Sequence, residues 1–509
     1  MTKRVIDVDL ADVFEQPKRK GYLHTLAWGD YVEVVETTPE HLRIQFTKFV
    51  KQKDGSIKPV DVQAYICPPN SSNVKPENVT IPVEDSHVLK VNFIDVQQGD
   101  GAVIETPDGK VILVDGGDNQ MFARYLASRY RDTSKENPQK IDCILVTHGD
   151  ADHFVGLTEI FVSQKNAEPT KRLFISPQRV YHNGLVKRPG KDENQKDVPD
   201  KELLGVTKEI DGETIITGLH EDLLSVPDSE MNAPFLRWKK ALASWSEQGE
   251  IEFRKLSFGD DDAFDFLRDE GLEVRVLSPF LTKKGEDSGL KFLGNPPQGP
   301  RVGHESLDTD AERFKGFSAS HTINGHSIVL QLRYGGFNYL FSGDLNDEAG
   351  RTLVSKHNEG SIDLRSEVFK VPHHGSADFS AAFLKMVSPI VSIVSSGDES
   401  SKKEYIHPRA TLIGSLGRYS RNEEPLIFVT ELVAFMKLEG WARLTDEEKN
   451  TKRGEFFSFS RAAYGMVKTR TNGRRLLIYT NSGKTEMKEA YCYDFTPENG
   501  VVPSPIVRV

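Results

Sequence analysis

Between Tyr31 and Cys67 apolar and polar side chains alternate (YVEVVE, HLRIQF, VDVQAYI), the period of strands with one buried face, and Asp54-Gly55 reads as a turn between two runs. The pattern predicts a small β-rich region over residues 1–80. It closes on CPPNSSNVKPEN, 67–78, a Pro/Asn/Ser-rich linker. From Val88 the spacing tightens. VLKVNFIDV and AVIETPDGKVILVDGG read as strands with Pro107-Asp108-Gly109 as a turn, followed by a helical MFARYLASRY and the strand IDCILVT. Strands resume at EVRVLSP and HSIVLQLRYGGFNYLFSGD, then a helical EAGRTLVSKH, then SEVFKVPHHGS and PIVSIVSSG. Strand, helix and strand in alternation predict an α/β sandwich over 86–420.

Two stretches depart from that rhythm. From about 180 to 271 the chain is highly charged and irregular, with one amphipathic run, FLRWKKALASW; it reads as a surface insertion with some helix, ahead of a lid or substrate-selecting element. After about 421 comes a β-containing extension to 509, where YGMVKTRTNGRRLLIYTNSG predicts a hairpin with Asn472-Gly473 in a type I′ turn.

Composition narrows the function classes. The chain has 509 residues, enough for roughly two to four structural units. Its 65 Lys and Arg against 76 Asp and Glu give a formal charge of −11, which argues against coating broadly with nucleic acid while leaving room for a local basic groove. Cys67, Cys143 and Cys492 are far apart and unpaired in pattern, which fits a reducing compartment. MTKRVIDVDLADVFEQPKRK has no apolar signal core and no segment approaches a membrane span, so the expectation is a soluble cytoplasmic protein without a membrane partner.

The chemistry concentrates in LVTHGDADHFVGL, 145–157. Two histidines and two aspartates at a strand end would repel and lose hydration unless a partner compensated them, and a metal is the natural partner. Alternation in the loop lets His148 and Asp150 converge on one ion, while Asp152 and His153, opening the next helix, face a second. Three further polar clusters follow apolar strands: DGGDN at 115–119, SGDLN at 342–346 and VPHHGS at 371–376.

These motifs, with FIDVQQGDG and the later IHPRATL, resemble the metallo-β-lactamase fold hydrolases, and within them the ComEC-like branch of competence proteins. The likeness covers roughly 88–160 and 272–415. It implies a four-layer αββα sandwich with a dinuclear metal site between the sheets; the flanking β-rich N- and C-terminal regions read from the pattern lie outside the likeness. By position it implies His148 and Asp150 on one metal, Asp152 and His153 on the other, Asp344 bridging, and a further ligand from His373 or His374. Asp150 stands where the family's H-x-H-x-D-H has its second histidine; an oxygen donor there brings manganese in beside zinc. HTINGHS, 321–327, offers His321 as a ligand by analogy with other branches, with His326 a weaker alternative, whereas the ComEC-like pattern aligns Asn324 and Ser327 there.

Around this set, Asp115 reads as a hydrogen-bond partner of a metal-bound histidine or as a turn anchor. Asp95 and Asp100 are near-site residues or turn caps, and Ser376 and His407 are phosphate or proton contacts or loop caps. The implied chemistry is hydrolysis by hydroxide activated on two divalent ions, with Asp152 and Asp344 fixing it and His407 assisting the leaving group. The resemblance implies a phosphodiesterase, foremost a nuclease on DNA or RNA. A small phosphodiester or cyclic nucleotide is the alternative substrate, and a metal-free binding or signalling module the alternative class.

Overall fold

A computed structural model describes residues 1–51, 57–294, 316–397, 407–431, 435–441, 457–463, 465–480 and 489–509. The Asp54-Gly55 turn lies outside the described residues. The chain divides into two units: residues 1–91, 106–108 and 433–509 form one, and residues 92–105 and 109–432 the other.

In the first unit the alternating runs become an antiparallel ladder within a seven-stranded sheet, whose longest pair is Leu42–Lys51 against Ile57–Ile66. Alternation sends Val13, Val34, Ile44 and Ile66 into one buried cluster. The C-terminal strands Met466–Thr471, Arg475–Thr480, Ala490–Thr496 and Gly500–Ser504 form a meander. Leu477, Tyr479 and Cys492 share a core with Leu10, Ala27 and Trp28, and the Arg475 guanidinium clasps Asp9 through two hydrogen bonds of 2.8 and 2.7 Å. The two flanking regions, read from sequence as separate, therefore belong to one unit. Their hairpin turn also differs from expectation. Gly473 takes φ +84° but Asn472 does not, so the turn is not type I′; instead the Asn472 Oδ1 accepts from the backbone of Arg474 and Arg475.

The second unit stacks two sheets. In one, strands Glu252–Lys255, Arg179–His182, Cys143–Leu145 and Val111–Asp115 run parallel in that order, and Gly101–Glu105 closes antiparallel on Val111–Asp115. Such strands are covered on both faces, which is why VILVD and GAVIE are buried throughout rather than alternating. In the other, Leu272–Ser278, Val329–Tyr334 and Phe337–Phe341 are antiparallel, and Val368–Lys370, Val391–Val394 and Leu426–Val429 continue in parallel. Phe93 stacks on Phe341 at 5.8 Å between the sheets.

Helices cover the outer faces. α1 (Met121–Arg129), α2 (Ala151–Ser163) and α3 (Ala233–Ser246) pack against one another over the first sheet. α4 (Ala319–Gly325) is a short helix beside the site. α5 (Asp347–Asn358), α6 (Ala381–Val387) and α7 (Ala410–Tyr419) bury Leu353, Phe383, Leu384, Leu412 and Leu416 against the second. This is the expected αββα order.

Two boundaries move. Leu426–Val429 is a strand of the second sheet, so this unit runs past 420. The stretch 180–271 is no mere surface insertion: it supplies one sheet strand and most of another, and α3 buries Phe235, Trp238, Leu242 and Trp245. Phe235 meets Phe154 of α2 at 4.7 Å. Among the described residues no helix is long and apolar enough to cross a membrane.

Candidate metal centre

Four strand ends of the second unit deliver its chemistry to one place. Val111–Asp115 ends on Asp115; Cys143–Leu145 runs through Thr147 and His148 into α2, whose first turn carries Asp152 and His153. Phe337–Phe341 leads to Asp344, and Val368–Lys370 leads through Pro372 to His373 and His374. Glycines permit the close approach. A Cβ on Gly156 would stand 1.9 Å from the Gly116 carbonyl oxygen, and one on Gly99 only 1.8 Å from that of Asp152, so α2 can begin here only against bare backbone.

Asp344 is the hub. Its carboxylate lies 3.3 Å from the Nε2 of His153 and of His374, and 3.9 Å from that of His148 and of His373. Asp152 joins from the side, 3.5 Å from His374 Nε2, and receives a 3.0 Å hydrogen bond from Gln98. Of four compact triads of donor atoms among the described residues, two leave out Asp100, His148, His153 and Asp344 in one and Asp152, His153 and His374 in the other, each compact enough to hold an ion. They share His153.

The opposite ring nitrogens are held from behind. His153 Nδ1 meets Asp115 at 2.9 Å, and the same carboxylate accepts from the Thr147 amide and hydroxyl at 2.8 and 2.7 Å. His374 Nδ1 donates to the Ser395 carbonyl at 3.1 Å beside Asp100, which forms a buried ion pair with Lys370. His148 Nδ1 faces the hydroxyls of Thr147 and Ser327 at 3.2 and 3.3 Å, and Ser327 Oγ also accepts from the Asp344 amide. Every imidazole is thus turned with Nε2 toward the centre.

The residues fit a metal. The Nε2 atoms of His148, His153 and His374 and Oδ1 of Asp344 are buried without a hydrogen-bond partner among the described residues. Leaving four such atoms unsatisfied would cost several kcal/mol in an ordinary core, at about 1–3 kcal/mol each. The electrostatics agree. Burial opposes ionisation of Asp344, yet the charges of His374 and His153 hold it well below the usual carboxylate range. Burial likewise opposes charging of His153 and His374, but Asp344 with Asp115, and Asp344 with Asp100, hold these rings well above the usual histidine value. His148 is pushed down to about 3 by burial and by the neighbouring His153. Without metal, protons on two rings stand where cations would, and a metal would displace them.

Not every predicted residue joins the set. Asp150 occupies the N-cap of α2 but does not cap it; its carboxylate turns to Lys187 at 3.2 Å, and burial raises its pKa. His321 is drawn away because its segment is helical: its ring faces Asp378 at 3.3 Å and Glu348 of α5 at 3.8 Å, not the hub. His326 donates to the Lys291 carbonyl at 2.7 Å. His374 is the buried member of its pair and His373 the rim member, 6.0 Å ring to ring from His407. His407 is pushed down to about 4 by burial and then by the charges of His373 and His374. Asp95 and Ser376 accept from backbone amides two residues on, as turn caps do, whereas Asp100 is part of the support beneath the site. The sequence reading missed Lys187, Gln98 and Lys370. A lysine inside the apolar strand SEVFKVP was the one available signal.

The centre floors a cavity of about 870 Å³ lined by Gln97, Gln98, Lys187, Asn324 and His407 among others.

Residues 94–219 match the metallo-beta-lactamase superfamily model. A 98-residue stretch is 29% identical to ComE operon protein 3 of Bacillus subtilis (strain 168), covering 19% of this chain and 12% of that protein. An 86-residue stretch is 38% identical to Competence protein ComA of Neisseria gonorrhoeae, covering 17% of this chain and 12% of that protein. The matches thus span about an eighth of each relative's length. With the two-sheet architecture and the histidine and aspartate cluster at its strand tips, they show that this chain carries a metallo-beta-lactamase superfamily domain, similar over the matched stretches to these two competence proteins.

Proposed function

We propose that the second unit is a metal-dependent phosphodiesterase that cleaves nucleic acid, holding two divalent ions. The observation that carries this is the convergence on the Asp344 carboxylate of three Nε2 atoms, buried without a hydrogen bond among the described residues, where Asp344, Asp152 and His374 line an open cavity. His148, His153 and Asp344 would hold one ion and Asp152 and His374 the other, a mixed nitrogen and oxygen set suited to zinc and, through its carboxylates, to manganese. Such ions supply Lewis-acid polarisation of a phosphoryl group and acidify water near neutral pH.

The chain's own residues do the rest. Asp115, Asp100 and Ser327 fix the ring orientations, so the donors do not reorganise as charge develops. His407, its pKa pushed down, presents an uncharged imidazole at the cavity wall that can hold a leaving oxygen by a ring N–H hydrogen bond but carries no proton to transfer to it. The three cysteines are free and buried, which supports a reducing, cytoplasmic setting.

Incubation of the purified protein with manganese or zinc and single- or double-stranded DNA, alongside bis(p-nitrophenyl) phosphate, tests the reading. Cleavage should require metal and vanish with chelator and in Asp344→Asn. Inertness of metal-loaded protein toward every phosphodiester would overturn it. A second reading, hydrolysis of a small phosphodiester such as a cyclic nucleotide, is favoured by the cavity lining, where Asp118, Asp150, Asp152 and Asp344 face a single lysine. Relative rates on cyclic nucleotides and DNA separate the two.

A further inference from the structure

Lys187 is the one Lys or Arg among the described residues that line the cavity. Its backbone is pinned: its carbonyl accepts from the Asn232 amide at the N-cap of α3 at 2.9 Å, and the next residue, Arg188, bonds the Leu203 carbonyl and pairs with Glu230. Its side chain is loosely engaged. The ammonium meets Asp150 at 3.2 Å, with the two side chains 30% and 21% exposed. The pair is half-buried and rests on a single contact, so exchanging Asp150 for a phosphoryl oxygen keeps the ammonium in one charge-assisted contact. On the same floor lie the carboxylates of Asp152 and Asp344, which repel an anionic substrate. A phosphodiester approaching them therefore needs a cation on the protein side, and a lysine on a flexible stem meets phosphoryl oxygens as a mobile point charge.

We propose that Lys187, delivered by the segment ahead of α3, is the substrate anchor of this site: it leaves Asp150 and binds a non-bridging oxygen of the phosphodiester. This rests on the phosphodiesterase reading, and it assigns the charged 183–246 segment a part in substrate selection. No covalent step is involved.

The test uses the full-length, metal-loaded protein, with Lys187→Met and Lys187→Arg beside wild type. Three quantities are measured: KM and kcat for bis(p-nitrophenyl) phosphate, affinity for inorganic phosphate by calorimetry, and metal content. Loss of one charge-assisted hydrogen bond should raise KM and weaken phosphate binding roughly ten- to a hundredfold in Lys187→Met, with kcat within about threefold, metal content unchanged and Lys187→Arg restoring most of the affinity. Unchanged KM and phosphate affinity, or a fall in metal content that accounts for the loss, would overturn the anchor. If wild type cleaves no phosphodiester but Lys187→Met still loses phosphate affinity, the anchor stands and the phosphodiesterase reading falls. If wild type cleaves and Lys187→Met is indistinguishable from it, the anchor falls alone.

Discussion

Asp115 takes φ +57°, a conformation that aspartate tolerates better than most residues but that still carries strain. What it gains is reach: at the end of an apolar strand its two oxygens take Thr147 and His153 together, locking the loop that carries His148 to the helix that carries His153. Asp115→Asn keeps the shape but removes the anion behind His153. Metal affinity should drop roughly 10- to 100-fold, read by competition against a coloured chelator, while the fold stays intact by circular dichroism; wild-type affinity would reduce Asp115 to a turn anchor. This scale was the most legible in sequence. His148, Asp152 and His153 fall within six consecutive positions, so local geometry alone places them together. Asp150 shares that stretch yet turns to Lys187, 37 residues on, because its partner is set by tertiary approach, which spacing does not encode. The Lys370 and Asp100 pair was hidden for the same reason.

At the scale of elements, strands such as Cys143–Leu145 and Val391–Val394 announced themselves as apolar runs, and strands that carry charges did not. Arg179–His182 and Glu252–Lys255 have four residues each and carry charges, so neither a period of two nor an apolar run marks them as sheet strands. Their neighbour α3 was visible as an amphipathic stretch, but its depth was not. Trp238 and Trp245 are each 1% exposed, and their rings meet edge to face at 5.8 Å. Trp238→Ala should destabilise the protein by about 3–5 kcal/mol in urea unfolding, the usual cost of emptying a buried aromatic site. A change below about 0.5 kcal/mol, normal for surface positions, would return α3 to the status of an appended helix. Through Phe235 and Phe154, α3 also packs on α2, so loosening it should lower metal occupancy along with stability.

For the molecule as a whole, pH acts through buried groups beyond the metal ligands as well as through the ligands themselves. His182, at the end of a sheet strand, is 4% exposed; its Nδ1 accepts from the Gly184 amide and its Nε2 donates to the Glu221 carbonyl at 3.2 Å, a pattern that requires the neutral ring. Burial pushes its pKa down to about 4 against 6.5 unperturbed. Above pH 6.5 neither the folded nor the unfolded chain protonates this ring, and it adds no pH dependence. Between 6.5 and 4 the unfolded chain binds a proton that the folded protein refuses, so stability declines as pH falls, by about 1.4 kcal/mol per unit and about 3 kcal/mol across the window. The buried carboxylate Asp344, with its depressed pKa, weakens the fold in the same direction on acidification, whereas His153 and His374, raised above their usual value, oppose it. His182 is therefore isolated by difference. Unfolding free energies of wild type and His182→Gln, measured with the metal removed at pH 7.5, 6.0 and 5.0, should converge as pH falls. The variant loses the same hydrogen bonds at every pH but has no proton to take up. Parallel curves would mean that the ring already holds its proton in the folded state, or that water reaches it.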